Sequence, residues 1–247
     1  MTRFLQKQKD ISQHKMNFGN ISSSVDLVSF SNAEEPTTVL FYQGCNFGCG
    51  YCHNSNLWHA EDDTLTEKGL NAVLSTARSR WVKLVNVSGG EPTEQFGNLW
   101  DLTGYLKQQG FKVKLDTNGS HPEVLETLLE YALVDYAAMD IKGTLAQYPE
   151  ITGFSDVEKI RNSIELVQFM GNQGFGYEFR TTAVPGIHGE SEIREIGEML
   201  RGSRRYAIQQ FRPDLDGGCL NPQFCKKESY PGETLREVAE VVKDDFE

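Results

Sequence analysis

The chain has 247 residues, a formal net charge of −11 and 38% hydrophobic residues, the composition of an acidic globular protein with room for one large domain. That charge argues against nucleic-acid binding as the main activity, because proteins that bind phosphate backbones present a basic patch. Met1 to Asn20 mixes Lys, Gln, Asp and His without an apolar stretch, so no secretory leader is read there, and no run approaches a membrane span.

In chain order, residues 1–24 read as a polar N-terminal arm and residues 25–247 as a single domain. Runs rich in β-branched or aromatic residues predict strands at Thr38–Tyr42, Val82–Ser88, Lys112–Thr117, Tyr136–Lys142, Tyr177–Ala183 and Ala207–Phe211. Helices fill the gaps. Thr64-Leu-Thr-Glu67 reads as a capping box opening a helix to about Arg80, Gly110 and Gly174 as helix stops, and Thr234-Leu-Arg-Glu237 as the box of a last helix. Pro213 to Gly232 reads as a loop. Strand and helix alternate six times, two units short of a closed barrel, so the expected architecture is α/β, an open partial (β/α)6 TIM-type barrel. Cys45, Ser88, Asp116, Lys142, Arg180 and Gln210 then fall at or just after strand ends, where barrels of this kind build their sites.

Three of the five cysteines, Cys45, Cys49 and Cys52, are packed within eight residues as C-x3-C-x2-C. An odd count with this packing fits a reducing, cytoplasmic compartment and metal-ligand use better than a disulfide framework. Fe–S clusters are normally held by four cysteines and structural zinc sites close all four positions, so a three-thiolate set leaves a position for a reactant. Zinc, with His53 as fourth ligand, is the competing metal.

Gly89-Gly90-Glu91 offers small residues that allow close backbone approach and a carboxylate suited to a charge-assisted bond with an ammonium group. Asp116-Thr117-Asn118-Gly119 and Asp140-Ile141-Lys142 bring two carboxylates, a hydroxyl and an ammonium to the strand ends, where solvated charge is the bland alternative. Arg180 either meets a ligand carboxylate or pairs with Asp140. Of Gln209 and Gln210 only one can face the cleft, and Gln210 is taken as that residue. Cys219 and Cys225 supply too few thiolates for a second four-iron cluster and read as free thiols.

The cysteine spacing together with Ser88-Gly-Gly-Glu-Pro92 resembles the signature of the radical S-adenosylmethionine superfamily. From about Val39 to Phe224, through Lys114-Leu-Asp-Thr-Asn-Gly119, Ala138-Met-Asp-Ile-Lys142, Phe179-Arg-Thr-Thr-Ala-Val-Pro-Gly186 and Gln209-Gln-Phe-Arg-Pro213, the chain is similar to the anaerobic ribonucleoside-triphosphate reductase activating proteins. Pyruvate formate-lyase activases stand in a wider circle. The resemblance implies a 4Fe-4S cluster on Cys45, Cys49 and Cys52, and S-adenosyl-L-methionine held by Tyr51, Asn54, Gly89, Gly90, Glu91, Asp116, Asn118, Lys142, Arg180 and Gln210. Tyr51 would pack on the adenine and Glu91 take the ammonium group. It further implies a monovalent cation on Asp116, Thr117 and Asp140, and no catalytic side chain beyond cluster and cofactor. A flavodoxin- or ferredoxin-like donor would supply the electron, and the reaction would install a glycyl radical on the reductase, with no nucleic-acid or membrane partner. The rivals are a small-molecule radical enzyme such as a 7-carboxy-7-deazaguanine synthase, an activase of a pyruvate formate-lyase-type enzyme, and an iron–sulfur carrier without catalysis.

Overall fold

The computed structural model describes residues 17–29, 35–59, 64–213, 218–243 and 246. Its centre is a seven-stranded sheet in the order β1 to β7 that does not close on itself. The strands are β1 (Ile21–Ser29), β2 (Thr37–Tyr42), β3 (Leu84–Gly89), β4 (Lys112–Thr117), β5 (Tyr136–Asp140), β6 (Gly176–Ala183) and β7 (Tyr206–Gln210). All pairings from β2 to β7 are parallel. The partial (β/α)6 barrel and all six expected strands are therefore present, with ends within two residues of those predicted.

Between the strands lie α1 (Glu67–Ser79), α2 (Phe96–Gln108), α3 (Pro122–Glu130), the short α4 (Tyr148–Thr152), α5 (Val157–Asn172) and α6 (Glu190–Met199), with α7 (Gly232–Glu240) after β7. Each long helix buries one stripe: Leu70, Val73, Leu74 and Ala77 on α1, Leu99, Leu102 and Leu106 on α2, Val124, Leu125, Leu128 and Leu129 on α3. These meet the outward residues of the strands, such as Val85, Val87, Val113 and Leu115, all fully buried. Each such side chain contributes about 1.5–3 kcal/mol through burial.

Three expectations are corrected. Ile21–Ser29 forms β1, antiparallel to β2 with Ile21 opposite Tyr42 and Val25 opposite Leu40. The boundary expected at residue 24 thus falls inside a strand, one hidden by its weak β-formers Ser22, Ser23 and Ser24. Residues 1–16 of the expected arm lie outside the described residues. The cap of α1 is Thr66, whose hydroxyl accepts from Gly69 N–H at 3.1 Å, whereas Thr64 bridges to Ser22. Helix α7 starts at Gly232, so Thr234 lies within it and caps nothing. Gly110 and Gly174 do end α2 and α5: Phe111 and Phe175 N–H return to Leu106 and Met170 carbonyls. No helix among the described residues is long and apolar enough to cross a membrane.

Strand alternation sends the other faces inward, and there the sequence is polar: Asn86 and Ser88, Lys114 and Asp116, Asp140, Glu178, Arg180 and Thr182. Parallel register sets them side by side, with Asn86 opposite Lys114, Asp140 opposite Arg180, and Thr182 opposite Gln209.

Candidate active site

The loop leaving β2 carries Cys45, Cys49 and Cys52, and the protein itself holds its shape. Gly44 N–H donates to Leu57 O at 2.7 Å, Gly48 N–H to Thr152 O at 2.7 Å and Cys52 N–H to Cys49 O at 3.0 Å. The Trp58 indole donates to Phe47 O at 2.9 Å. Asn118 Nδ2 donates to Asn46 Oδ1, and Asn46 Nδ2 to Ser120 Oγ, both at 2.9 Å, tying the loop to the end of β4.

The end of β3 is pressed against the same loop. Gly90 N–H donates to Tyr42 O and Glu91 N–H to Gly44 O, each at 2.7 Å. A Cβ on Gly90 would stand 2.0 Å from Gly44 O, and one on Gly89 2.2 Å from Tyr42 O. The two glycines therefore serve the close contact between the loops, and both also border the cavity, where small residues let the backbone approach a ligand.

Glu91 is 1% exposed and its carboxylate is filled by protein donors. Oε1 accepts from Thr93 N–H at 3.1 Å, Thr93 Oγ1 at 2.5 Å and Thr117 Oγ1 at 2.8 Å, and Oε2 from Asn118 N–H at 2.6 Å. A carboxylate has about four acceptor positions. Burial raises the Glu91 pKa against the pull of these donors. The residue expected to take an ammonium group is instead a staple between the ends of β3 and β4. Asn118 is likewise committed, through its Nδ2 to Asn46 and its Oδ1 to Ser120 N–H.

Inside the barrel, charges alternate from its floor to its mouth. Arg205 Nε lies 3.2 Å from Glu178 Oε2, and Lys114 Nζ 3.2 Å from Glu178 Oε1 and 3.7 Å from Asp116 Oδ1. Arg180 Nη1 lies 3.4 Å from Asp116 Oδ1, and its Nε donates to Asp140 Oδ1 at 2.9 Å. Lys142 Nζ donates to Asp140 Oδ2 at 3.0 Å. Burial would raise the Asp140 carboxyl, but Arg180 and Lys142 outweigh it and hold it down at about 2. The Arg180 alternative resolves as pairing with Asp140.

The three residues expected to hold a monovalent cation, Asp116, Thr117 and Asp140, border the same cavity, and each already has protein partners. Both Asp140 oxygens are given to side-chain cations and the Thr117 hydroxyl to Glu91. Asp116 is different: Oδ2 accepts from Asn86 Nδ2 at 2.9 Å, while Oδ1, buried, accepts no hydrogen bond. Its only partners among the described residues are the Arg180 and Lys114 cations, at 3.4 and 3.7 Å, both beyond a good hydrogen bond.

These parts border one cavity of about 230 Å³ at the C-terminal ends of the strands. Cys45, Tyr51, Cys49, Cys52, Asn54, Gly89, Gly90, Glu91, Asp116, Thr117, Asn118, Asp140, Lys142 and Arg180 all line it. Tyr51 is buried, edge-on to His188, Phe211 and Phe224. Gln210 does not line it: its Nε2 turns outward to Tyr230 O at 2.7 Å. Gln209 does, because register sets it beside the inward Thr182. Sequence reasoning also missed Trp58 and Thr182 as lining residues.

Burial pushes the Cys45 thiol up to about 12, with Glu91 adding to it, and the Cys49 thiol up to about 11 against the pull of Lys142. Both are neutral thiols until a metal displaces the proton. Among the described residues no three Cys, His, Asp or Glu side chains converge as a single ion requires. The thiolates of a cluster bind different irons and need no such convergence.

The sequence profile of the Radical SAM superfamily matches residues 39–201. A Methanocaldococcus jannaschii protein that carries the provisional name of glycyl-radical enzyme activating enzyme is 35% identical over 228 residues, covering 90% of this chain and 91% of its own. The pyruvate formate-lyase-activating enzyme of Streptococcus mutans serotype c is 28% identical over 74% of this chain and 73% of its own. Among solved structures, Streptococcus suis SuiB bound to its precursor peptide SuiA superposes with a TM-score of 0.62 at 17% identity, covering 98% of this chain. This chain spans 49% of SuiB, and that likeness speaks to fold alone.

Proposed function

The chain belongs to the radical SAM superfamily, and from that premise we propose that it is a glycyl-radical-enzyme activase acting on an anaerobic ribonucleoside-triphosphate reductase. The family implies a 4Fe-4S cluster and S-adenosylmethionine, and the residues fit them. Three cysteines on one preshaped loop border the cavity that is also lined by Asp116, one of whose buried oxygens accepts no hydrogen bond. Cluster and cofactor, once bound, supply reductive carbon–sulfur cleavage and hydrogen abstraction from a glycine Cα.

The chain's own residues bind, orient and exclude water. Cys45, Cys49 and Cys52 would hold the cluster. Asp116 Oδ1 is the acceptor for the cofactor's ammonium group, in place of the filled Glu91. Lys142 spends one N–H on Asp140, and the other two would be available to the cofactor's carboxylate. Phe47 and Tyr51, both buried, wall the loop against water. A flavodoxin- or ferredoxin-like protein would supply the electron.

The observation that carries the activase reading is the relative matched over nine-tenths of both chains. The reductase as target rests on the Lys114–Gly119 and Gln209–Pro213 segments. The second reading, an activase of a pyruvate formate-lyase-type enzyme, is favoured by the Streptococcus mutans relative. Reduced, cluster-loaded enzyme with S-adenosylmethionine should be offered each glycyl-radical enzyme from the same source in turn. Electron paramagnetic resonance should show a carbon-centred doublet on the reductase. A doublet only on the lyase-type enzyme would establish the second reading, and cofactor cleavage without a protein radical would overturn both.

A further inference from the structure

Outside the cleft, residues 218–227 lie as a strap across the outer side of the cysteine loop. Asn221 N–H donates to Gly50 O at 2.8 Å and Leu220 N–H to Cys52 O at 3.2 Å. The Phe224 ring lies edge-on to Tyr51, 6.0 Å between centroids. It covers Gly50 so closely that a Cβ there would stand 2.7 Å from the ring. Lys227 Nζ sits 4.9 Å from the Phe224 ring centre and donates to Pro185 O at 3.0 Å, pinning the far end.

The strap carries the two thiols that the reading of the cleft leaves unused. Cys219 N–H donates to Cys225 Sγ at 2.9 Å, which brings the second sulfur against the backbone of the first cysteine. Both sulfurs are reduced in this structure. Cys219 is 8% exposed whereas Cys225 is half-buried. Of the two sulfurs, Cys225 Sγ is the one that solvent and a small disulfide reach more readily.

We propose that Cys219 and Cys225 are a reversible dithiol–disulfide pair, a modification site whose oxidation by a low-molecular-weight disulfide closes the strap covalently over the cluster loop. Cys225 thiolate attacks one sulfur of the small disulfide, breaking its S–S bond and releasing one small thiolate, which takes up a proton. Cys219, giving its proton to solvent base, then attacks Cys225 sulfur and releases the second small thiol. Two protein S–H bonds are lost and one S–S bond forms. Two electrons pass to the oxidant, which leaves as two thiols. The closed seven-residue ring contains Phe224, so oxidation fixes that ring on Gly50 and Tyr51.

The test uses the cluster-loaded full chain under anaerobic conditions with graded ratios of oxidised to reduced glutathione, quenched in acid and alkylated. The tryptic peptide Tyr206–Lys226 holds both cysteines and no other. In the oxidised sample it should lose both alkyl groups and weigh two hydrogens less than the free dithiol, and excess reduced glutathione should reverse this. Cys219→Ser should accumulate a glutathione adduct on Cys225, and Cys225→Ser should accumulate far less on Cys219. Exchange of the Leu220 and Asn221 amide hydrogens should slow on oxidation. Full alkylation of both thiols at every ratio, or glutathione adducts without the internal disulfide, would overturn the pair. Equal adducts in the two Ser variants would overturn Cys225 as the attacking thiol, and unchanged amide exchange would overturn the closing of the strap.

Discussion

Glu91 Oε2 accepts the main-chain N–H of Asn118 at 2.6 Å, so the end of β3 is bolted to the end of β4 by one carboxylate. The same side chain takes the Thr117 hydroxyl at 2.8 Å. Its own N–H holds Gly44, one residue before the first cysteine. Glu91 is thus the joint where the cysteine loop, β3 and β4 meet.

Replacing Glu91 by Gln should destabilise the fold. Whichever way the amide turns, its NH2 faces a group that also donates, either Asn118 N–H or the Thr93 and Thr117 donors. An unsatisfied buried donor costs about 1–3 kcal/mol. In a chain of this size each kcal/mol lowers Tm by about 2–4 °C. Calorimetric melting of the metal-free protein measures this, and an unchanged Tm would show the carboxylate is not a staple.

Asp116→Asn should weaken S-adenosylmethionine binding to the cluster-loaded protein by about 10- to 100-fold, the worth of a charge-assisted hydrogen bond of about 1.5–3 kcal/mol. The check is a cycle with an analogue that lacks the ammonium group. The analogue should bind wild type more weakly, yet bind the variant and wild type nearly alike. If the variant loses affinity for cofactor and analogue equally, Asp116 acts only on the fold.

Changing Cys45, Cys49 or Cys52 singly to Ala should abolish the cluster, while Cys219→Ala and Cys225→Ala should retain it. Iron and sulfide counts after anaerobic reconstitution decide this. Because the loop is held by hydrogen bonds to Leu57, Thr152 and Ser120, the single Ala variants should still melt cooperatively.

His188 supplies a pH dependence. Its Nδ1 accepts from Val184 N–H at 3.0 Å, which requires the neutral ring, and its Nε2 donates to Lys142 O at 2.9 Å. Burial lowers its pKa, outweighing the pull of the Lys142 carbonyl and Glu192 toward the charged form. With the folded value below the unfolded value of about 6.5, the stabilisation is fully present above pH about 6.5. It is lost as pH falls through the folded pKa, because the unfolded chain then binds the extra proton. His188→Gln should lower Tm at pH 7 and flatten the fall in Tm between pH 7 and 5. Parallel pH profiles for variant and wild type would exclude His188 as the titrating group.

The sequence by itself determined the six parallel strands and the identity of the thiol loop, because both are written in short-range order. β-rich runs alternate with amphipathic ones, and C-x3-C-x2-C lies within eight residues. Local punctuation was legible too, as at Gly110 and Gly174. What the tertiary structure decided depends on pairs far apart in the chain. Glu91 reads as a ligand residue until Asn118, 27 residues on, brings its N–H to the carboxylate. The choice of Gln209 over Gln210 follows from register with Thr182, and a one-residue difference turns a strand side chain to the opposite face. Asp116 and Asp140 look alike as strand-end carboxylates. Only packing gives both oxygens of Asp140 hydrogen bonds from Arg180 and Lys142 while one oxygen of Asp116 accepts none. Which acceptors are filled is a property of assembled neighbours, and no local spacing encodes it.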